Sequence, residues 1–141
     1  MKYLLDTCII ISALRSKQGA SHFLLRKAIL KQLPIIMHFK LLAEYHDVLT
    51  RPKMLSALIY TADEIEKILI GLVSVAEEVN PHFLWRPNLK DEKDNFLVEI
   101  AVASQPCTII THNVKDLLQG ELLFPAIFVK QPQEVIREIF Q

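Results

Sequence analysis

Short apolar runs alternate with helical patterns along this chain, and this alternation restricts the possible folds more than any other feature. Between the runs, apolar residues recur at helical spacing over about residues 21–31, 40–50 and 94–104. Strands that are separated by helices pair in parallel through right-handed crossovers. The sequence therefore predicts an α/β fold with a mainly parallel sheet and helices on both of its faces. The apolar runs end at Leu5, Met37, Ile110 and Val129.

Length and composition predict one globular domain that spans residues 1–141. A chain of 141 residues with 51% hydrophobic residues can bury a sizeable core without disulfides or a structural metal. Sixteen basic residues balance sixteen acidic residues, so no net charge attracts the chain to nucleic acid or to anionic membranes. Cys8 and Cys107 form no zinc or disulfide pattern. No apolar run is long enough to span a membrane, which favours a cytoplasmic protein.

Asp6 follows directly on the first apolar run, where the first strand is predicted to end. A carboxylate at the border of a low-dielectric core is costly unless a partner compensates its charge. A metal ion would do so, and ligands of open α/β sheets bind at the carboxyl ends of the strands. The alternative is that Asp6 caps the following turn together with Thr7. Position alone favours neither reading.

Glu44 is the carboxylate of the 40–50 helix that helical geometry places beside the core. At about 100° per residue, it borders the arc formed by Leu41, Tyr45 and Val48, whereas Asp47 lies on the solvent side. Glu44 is therefore the better candidate for a half-buried functional carboxylate. The alternative is an ordinary charged residue at the border of the core.

Asp91 and Asp94 stand at the start of a predicted helix that is apolar nearly all round. Carboxylates at a helix N-terminus can simply cap free amides and complement the helix dipole. Because this helix has almost no polar face, we expect the Asp94 carboxylate to point into a site. Glu99, farther along the helix, is expected to mark a narrow window to solvent.

A further group of polar residues, from Thr111 to Asp116, follows the strand that ends at Ile110. It reads either as part of a site or as a polar turn before a short helix. Several carboxylates packed together raise one another's pKa values unless a cation neutralises them. Ligation by oxygen alone suits Mg²⁺ or Mn²⁺, and such ions promote phosphodiester hydrolysis.

Four stretches of the chain resemble the motifs of the PIN-domain nucleases and follow one another in the same order. The resemblance is to the small bacterial branch regarded as toxins of toxin–antitoxin pairs. Two positions depart from the usual pattern: Cys8 replaces a common asparagine, and Asn113 stands where many relatives have their last acid. The stretches are residues 6–13, 41–53, 91–103 and 111–117.

The resemblance implies a three-layer α/β/α sandwich with a central sheet of about five strands. It also implies Mg²⁺- or Mn²⁺-dependent cleavage of RNA and an antitoxin protein as partner. The last acid is then either missing or supplied by Asp116. The implied metal-site acids are Asp6, Glu44 and Asp94, with Asp116 as a fourth and Asp91 as an accessory acid, and the implied polar support comes from Thr7, Thr111 and Asn113.

Two other functions compete with a nuclease. Asn113 favours a catalytically inactive PIN-like module that binds RNA or protein without cutting. A phosphatase or phospho-receiver would use Asp6 as a nucleophile, but the chain lacks the second acid at D-x-D spacing that haloacid-type phosphatases carry. The apolar C-terminal helix and the high hydrophobic fraction predict a homodimer, although core packing would explain both.

Overall fold

The computed structural model describes residues 1–81, 92–118 and 125–141, and residues 92–95 enter this description by their backbone alone. Helices and strands alternate along the chain, as the hydrophobic pattern predicts. The strands are β1 (Lys2–Leu5), β2 (Ile36–Met37), β3 (Glu77–Glu78), β4 (Cys107–Ile110) and β5 (Ile127–Lys130). The helices are α1 (Thr7–Arg15), α2 (Ala20–Ile29), α3 (Phe39–Leu49), α4 (Pro52–Leu55), α5 (Ala62–Val75), α6 (Glu92–Ala103), α7 (Val114–Leu117) and α8 (Pro132–Ile139).

All strand pairs in the described part of the chain are parallel, which confirms the predicted α/β class. β4 lies between β1 and β5, and β2 pairs with β3. A single bridge between Tyr3 and Ile35 links the two groups. The fold class was predicted correctly, but the predicted sheet of about five strands is divided in two. The main sheet has three strands, and β2 and β3, with two residues each, form a separate short sheet.

The register of the larger sheet brings three strand ends to one edge. Leu5 pairs with Ile110, and Ile110 pairs with Lys130. The pairing continues one residue further, because the amide of Asp6 donates to the carbonyl of Ile110 and the amide of Thr111 donates to that of Lys130, both at 3.0 Å. Asp6 and Thr111 consequently leave adjacent strands side by side.

The helix α1 begins directly after Asp6, in a stretch for which the sequence pattern did not predict a helix. Its residues Ile9, Ile10 and Leu14 are fully buried and join the main hydrophobic core. β-branched residues have low intrinsic helix propensity, so burial of this face stabilises the helix where local preference does not. Asp6 is therefore the single residue between β1 and α1, and it occupies the N-cap position of α1.

Two other helices begin at common N-terminal sequence signals. Thr61 and Glu64 form a capping box at the start of α5, with reciprocal side-chain and backbone hydrogen bonds. Pro132 occupies the first turn of α8, and Val135 on that helix is fully buried. None of the helices within the described ranges is long and apolar enough to cross a lipid bilayer.

Candidate active site

The Asp6 side chain does not cap the helix that follows it. It makes no capping hydrogen bond, and its Oδ2 instead accepts from the hydroxyl of Thr111 at 2.7 Å and from the thiol of Cys8 at 3.4 Å. Two donors therefore hold one carboxylate oxygen. Among the described residues no donor reaches Oδ1, so Asp6 is oriented with one oxygen available to a ligand. The capping alternative is thus not what the structure contains.

Thr111 connects the end of β4 to the loop before α7. Its side chain is fully buried, and its hydroxyl both donates to Asp6 and accepts from the backbone amide of Asn113 at 3.0 Å. A hydroxyl that uses its donor and an acceptor in this way has little rotational freedom. Thr111 therefore fixes Asp6, while the exposed Asn113 contributes its backbone to the loop.

Cys8 lies half-buried on the first turn of α1, between Asp6 and the loop after β4. Its sulfur accepts from the backbone amide of His112 at 3.5 Å and lies 3.6 Å from the hydroxyl of Thr111. Burial, reinforced by the charge of Asp6, raises the pKa of the thiol to about 11. Near neutral pH the group is a protonated donor to the carboxylate and not a thiolate.

Glu44 approaches the same strand end from α3. The hydroxyl of Thr7 donates to its Oε2, and the Glu44 side chain is half-buried, as the helical geometry predicts. Asp47 on the same helix is exposed and pairs with Arg51 at 2.7 Å. Because Asp6 and Thr7 are consecutive residues, the hydrogen bond from Thr7 brings the Asp6 and Glu44 carboxylates to one region.

Tyr45 also reaches this region, although its place in the sequence pattern predicts only a member of an apolar arc. Its ring is buried, and its hydroxyl donates to the backbone carbonyl of Leu5. Burial raises the pKa of Tyr45 well above its usual value, and the charges of Asp6, Glu44 and Cys8 add to this effect. A buried tyrosine needs a partner for its hydroxyl, which is the one signal in the sequence that could have drawn attention to it.

The structure says less about the other three predicted acids, Asp91, Asp94 and Asp116. Asp94 lies in the first turn of α6, but its side chain is outside the described part, and Asp91 lies outside it altogether. Phe96 of α6 packs edge-to-face on His38, the N-cap residue of α3, with ring centroids 5.3 Å apart. The start of α6 is therefore next to the start of the helix that carries Glu44. Asp116 is exposed on α7.

The site side chains that the structure describes fit a hard divalent cation. Asp6 and Glu44 supply carboxylate oxygens in half-buried positions, and hydroxyl groups of Thr7 and Thr111 hold them. Oxygen ligands of this kind suit Mg²⁺ or Mn²⁺. Within the described side chains, no three His, Cys, Asp or Glu residues come together as a metal-binding group, so Asp116 does not complete one with this pair.

Glu99 differs from its prediction. Its side chain is only 3% exposed, so the narrow window to solvent that was predicted for it is wrong. It is the one carboxylate classed as buried in the described part of the chain. Glu99 lies on α6 among buried apolar residues such as Val98 and Ile100, which removes its carboxylate almost completely from solvent.

Two comparisons with known proteins find a family match and a similar fold. The model of the PIN domain family matches residues 2–115. Among solved structures, the crystal structure of VapBC2 from Rickettsia felis bound to a DNA fragment from the promoter contains a similar chain, with a TM-score of 0.61 and 17% identity. The match covers 93% of this chain and 98% of that chain, and at this identity it establishes a common fold. No curated protein matches the sequence.

Proposed function

The chain belongs to the PIN-domain family, and from this premise we propose that it is a metal-dependent endoribonuclease that acts as the toxin of a toxin–antitoxin pair. The observation that carries the proposal is the orientation of Asp6. Two donors hold its Oδ2, and Glu44 is held beside it through Thr7. A carboxylate pair fixed in this way at a strand end is suited to binding a divalent cation.

In the proposed site, Asp6, Glu44 and Asp94 hold Mg²⁺ or Mn²⁺, with Asp116 and Asp91 as further candidate acids. When bound, such an ion polarises a phosphoryl oxygen and supplies positive charge against the charge that develops during phosphodiester hydrolysis. The chain's own contribution is orientation. Thr111 and Cys8 keep one oxygen of Asp6 occupied, so that the other faces the ligand, and Thr7 keeps Glu44 from turning away.

Single-stranded RNA is the substrate that we propose. The neutral net charge gives the chain no general affinity for a polyanion, so contact with the phosphodiester must be local. We therefore expect RNA binding to weaken steeply as salt concentration rises.

Glu44→Gln is expected to reduce RNA cleavage in Mn²⁺ by about a hundredfold or more. A metal ligand contributes through its charge, and loss of several kcal/mol of stabilisation corresponds to a change of that size. The matched control is Asp47→Asn on the same helix, whose exposed carboxylate pairs with Arg51 outside the site. The control should cleave at the wild-type rate. The measurement is the initial rate on a labelled single-stranded RNA, with EDTA added to separate samples.

If Glu44→Gln and Asp47→Asn cleave equally, or if EDTA does not stop cleavage by the wild type, the proposed site is wrong. A wild type that binds RNA but neither cleaves it nor binds Mn²⁺ would instead support the inactive binding module favoured by Asn113.

We propose an antitoxin protein as the partner of this chain in the cytoplasm, and a homodimer as its own assembly. The similar chain belongs to a VapBC2 structure that also contains DNA, and the family resemblance supports a partner of this kind. Expression of the wild type in a bacterial host is expected to stop growth, and co-expression of a short reading frame adjacent to the gene should restore it. Asp6→Asn should not affect growth in either case. Growth arrest by Asp6→Asn equal to that by the wild type would contradict a nuclease toxin.

A further inference from the structure

Two adjacent residues of α3 form hydrogen bonds with residues at the end of β1, one as a donor and the other as an acceptor. Tyr45 donates to the backbone carbonyl of Leu5, whereas Glu44 accepts from the hydroxyl of Thr7. The two bonds attach to the residues immediately before and after Asp6. The helix is therefore held to the strand on both sides of the proposed ligand.

These two bonds differ in their surroundings. Tyr45 is 1% exposed and packs in the main hydrophobic core, where a hydrogen bond is not weakened by competing water. Thr7 is 9% exposed and lies at the border of the site. The buried bond sets the distance and rotation of α3 relative to β1, and the outer bond then sets the direction of the Glu44 carboxylate.

A rotation of α3 about its own axis would move both residues together, because they are neighbours on one helix. Such a rotation would displace Glu44 and break the bond from Tyr45 to Leu5 at the same time. Side chains at a metal site must be held within fractions of an ångström of their productive geometry. The Tyr45 bond supplies that restraint at a point where no ligand competes for it.

We propose that Tyr45 is a positioning residue, which holds Glu44 at the correct distance from Asp6 through its hydrogen bond to the Leu5 carbonyl. The proposal rests on the proposed metal site. It assigns a function to a hydroxyl group that touches neither substrate nor cation. The alternative is that Tyr45 only fills the core, in which case its ring matters and its hydroxyl does not affect the ligands.

Mn²⁺ binding to the full chain tests the proposal without any measurement of cleavage. The affinity is measured from the signal of free Mn²⁺ in electron paramagnetic resonance, well below the unfolding temperature of each variant. Tyr45→Phe keeps the ring and removes the hydroxyl, and we expect it to weaken Mn²⁺ binding about tenfold, as other outer-sphere partners do. Tyr60→Phe is the matched control, since its hydroxyl bonds to His22. This variant should bind like the wild type.

A second background separates positioning from general loss of packing. In Glu44→Gln, which lacks the charge that Tyr45 is proposed to position, the additional change Tyr45→Phe should weaken Mn²⁺ binding by less than about twofold. In the wild-type background, Thr7→Val should weaken Mn²⁺ binding. Thr7→Ser retains the hydroxyl and should bind Mn²⁺ like the wild type. A purely structural effect would reduce affinity equally in both backgrounds.

The outcomes distinguish this proposal from the proposed function. If the wild type binds Mn²⁺ and Asp6→Asn does not, but Tyr45→Phe binds like the wild type, the positioning proposal alone is overturned. An equal loss in the Glu44→Gln background also overturns it. If the wild type binds no Mn²⁺, the proposed function fails and this proposal fails with it.

Discussion

Asp6→Asn is expected to lower the proposed Mn²⁺-dependent cleavage of RNA by about a hundredfold to a thousandfold, the equivalent of several kcal/mol of electrostatic stabilisation. The size of the effect follows from the hydrogen bonds of Asp6. Because Thr111 and Cys8 both donate to Oδ2, an asparagine places its carbonyl oxygen there. The amide nitrogen must then occupy the position of Oδ1, where its hydrogens would point into the proposed cation site.

Thermal unfolding separates this effect from misfolding. Wild-type protein should gain stability when Mn²⁺ is added, because a ligand that binds only the folded state raises the unfolding temperature. Asp6→Asn should unfold cooperatively near the wild-type temperature without the cation and gain nothing from it. Cleavage by Asp6→Asn at the wild-type rate would refute the assignment of Asp6.

Asp94→Asn is expected to lower cleavage by about a hundredfold, whereas Asp116→Asn should lower it by less than about tenfold. Asp94 lies in the first turn of α6, which contacts the start of α3 through Phe96 and His38. Asp116 is exposed on α7 and forms no three-member group with the described acids. The measurement is the initial rate for both variants at saturating Mn²⁺.

The reverse order of effects would identify Asp116 as the third acid and would show that it compensates for Asn113. If both variants cleave at the wild-type rate, neither acid is a metal ligand. Asp6 and Glu44 alone are too few ligands to hold the ion, and the metal-site proposal would have to be abandoned. As a control for charge alone, Asp63→Asn removes an exposed acid from α5 and should not change the rate.

The parts of the site that depend on strand ends could be predicted from the sequence. An apolar run that ends in a polar residue marks a carboxyl end, and parallel pairing places such ends together, which applies to Asp6 and Thr111. Helical geometry also predicted the half-buried side of α3 that carries Glu44.

The remaining features depend on contacts that a linear pattern does not specify. The run of isoleucines after Asp6 has a strand-like composition, and only burial against the core makes it helical in α1. For Tyr45, periodicity predicts a buried ring but not the partner of its hydroxyl. The short β2 and β3 have too few residues for the pattern to define whether they join the main sheet.

The bond between Thr111 and Asp6 spans 105 positions of the chain, and the bond between Thr7 and Glu44 spans 37. During synthesis Asp6 therefore leaves the ribosome long before Thr111, whose hydroxyl follows directly on β4 and orients it. A growing polypeptide that ends before Thr111 lacks one of the two donors that hold Asp6 Oδ2. The proposed metal site is consequently complete only after residue 111 has been translated and β4 has inserted beside β1.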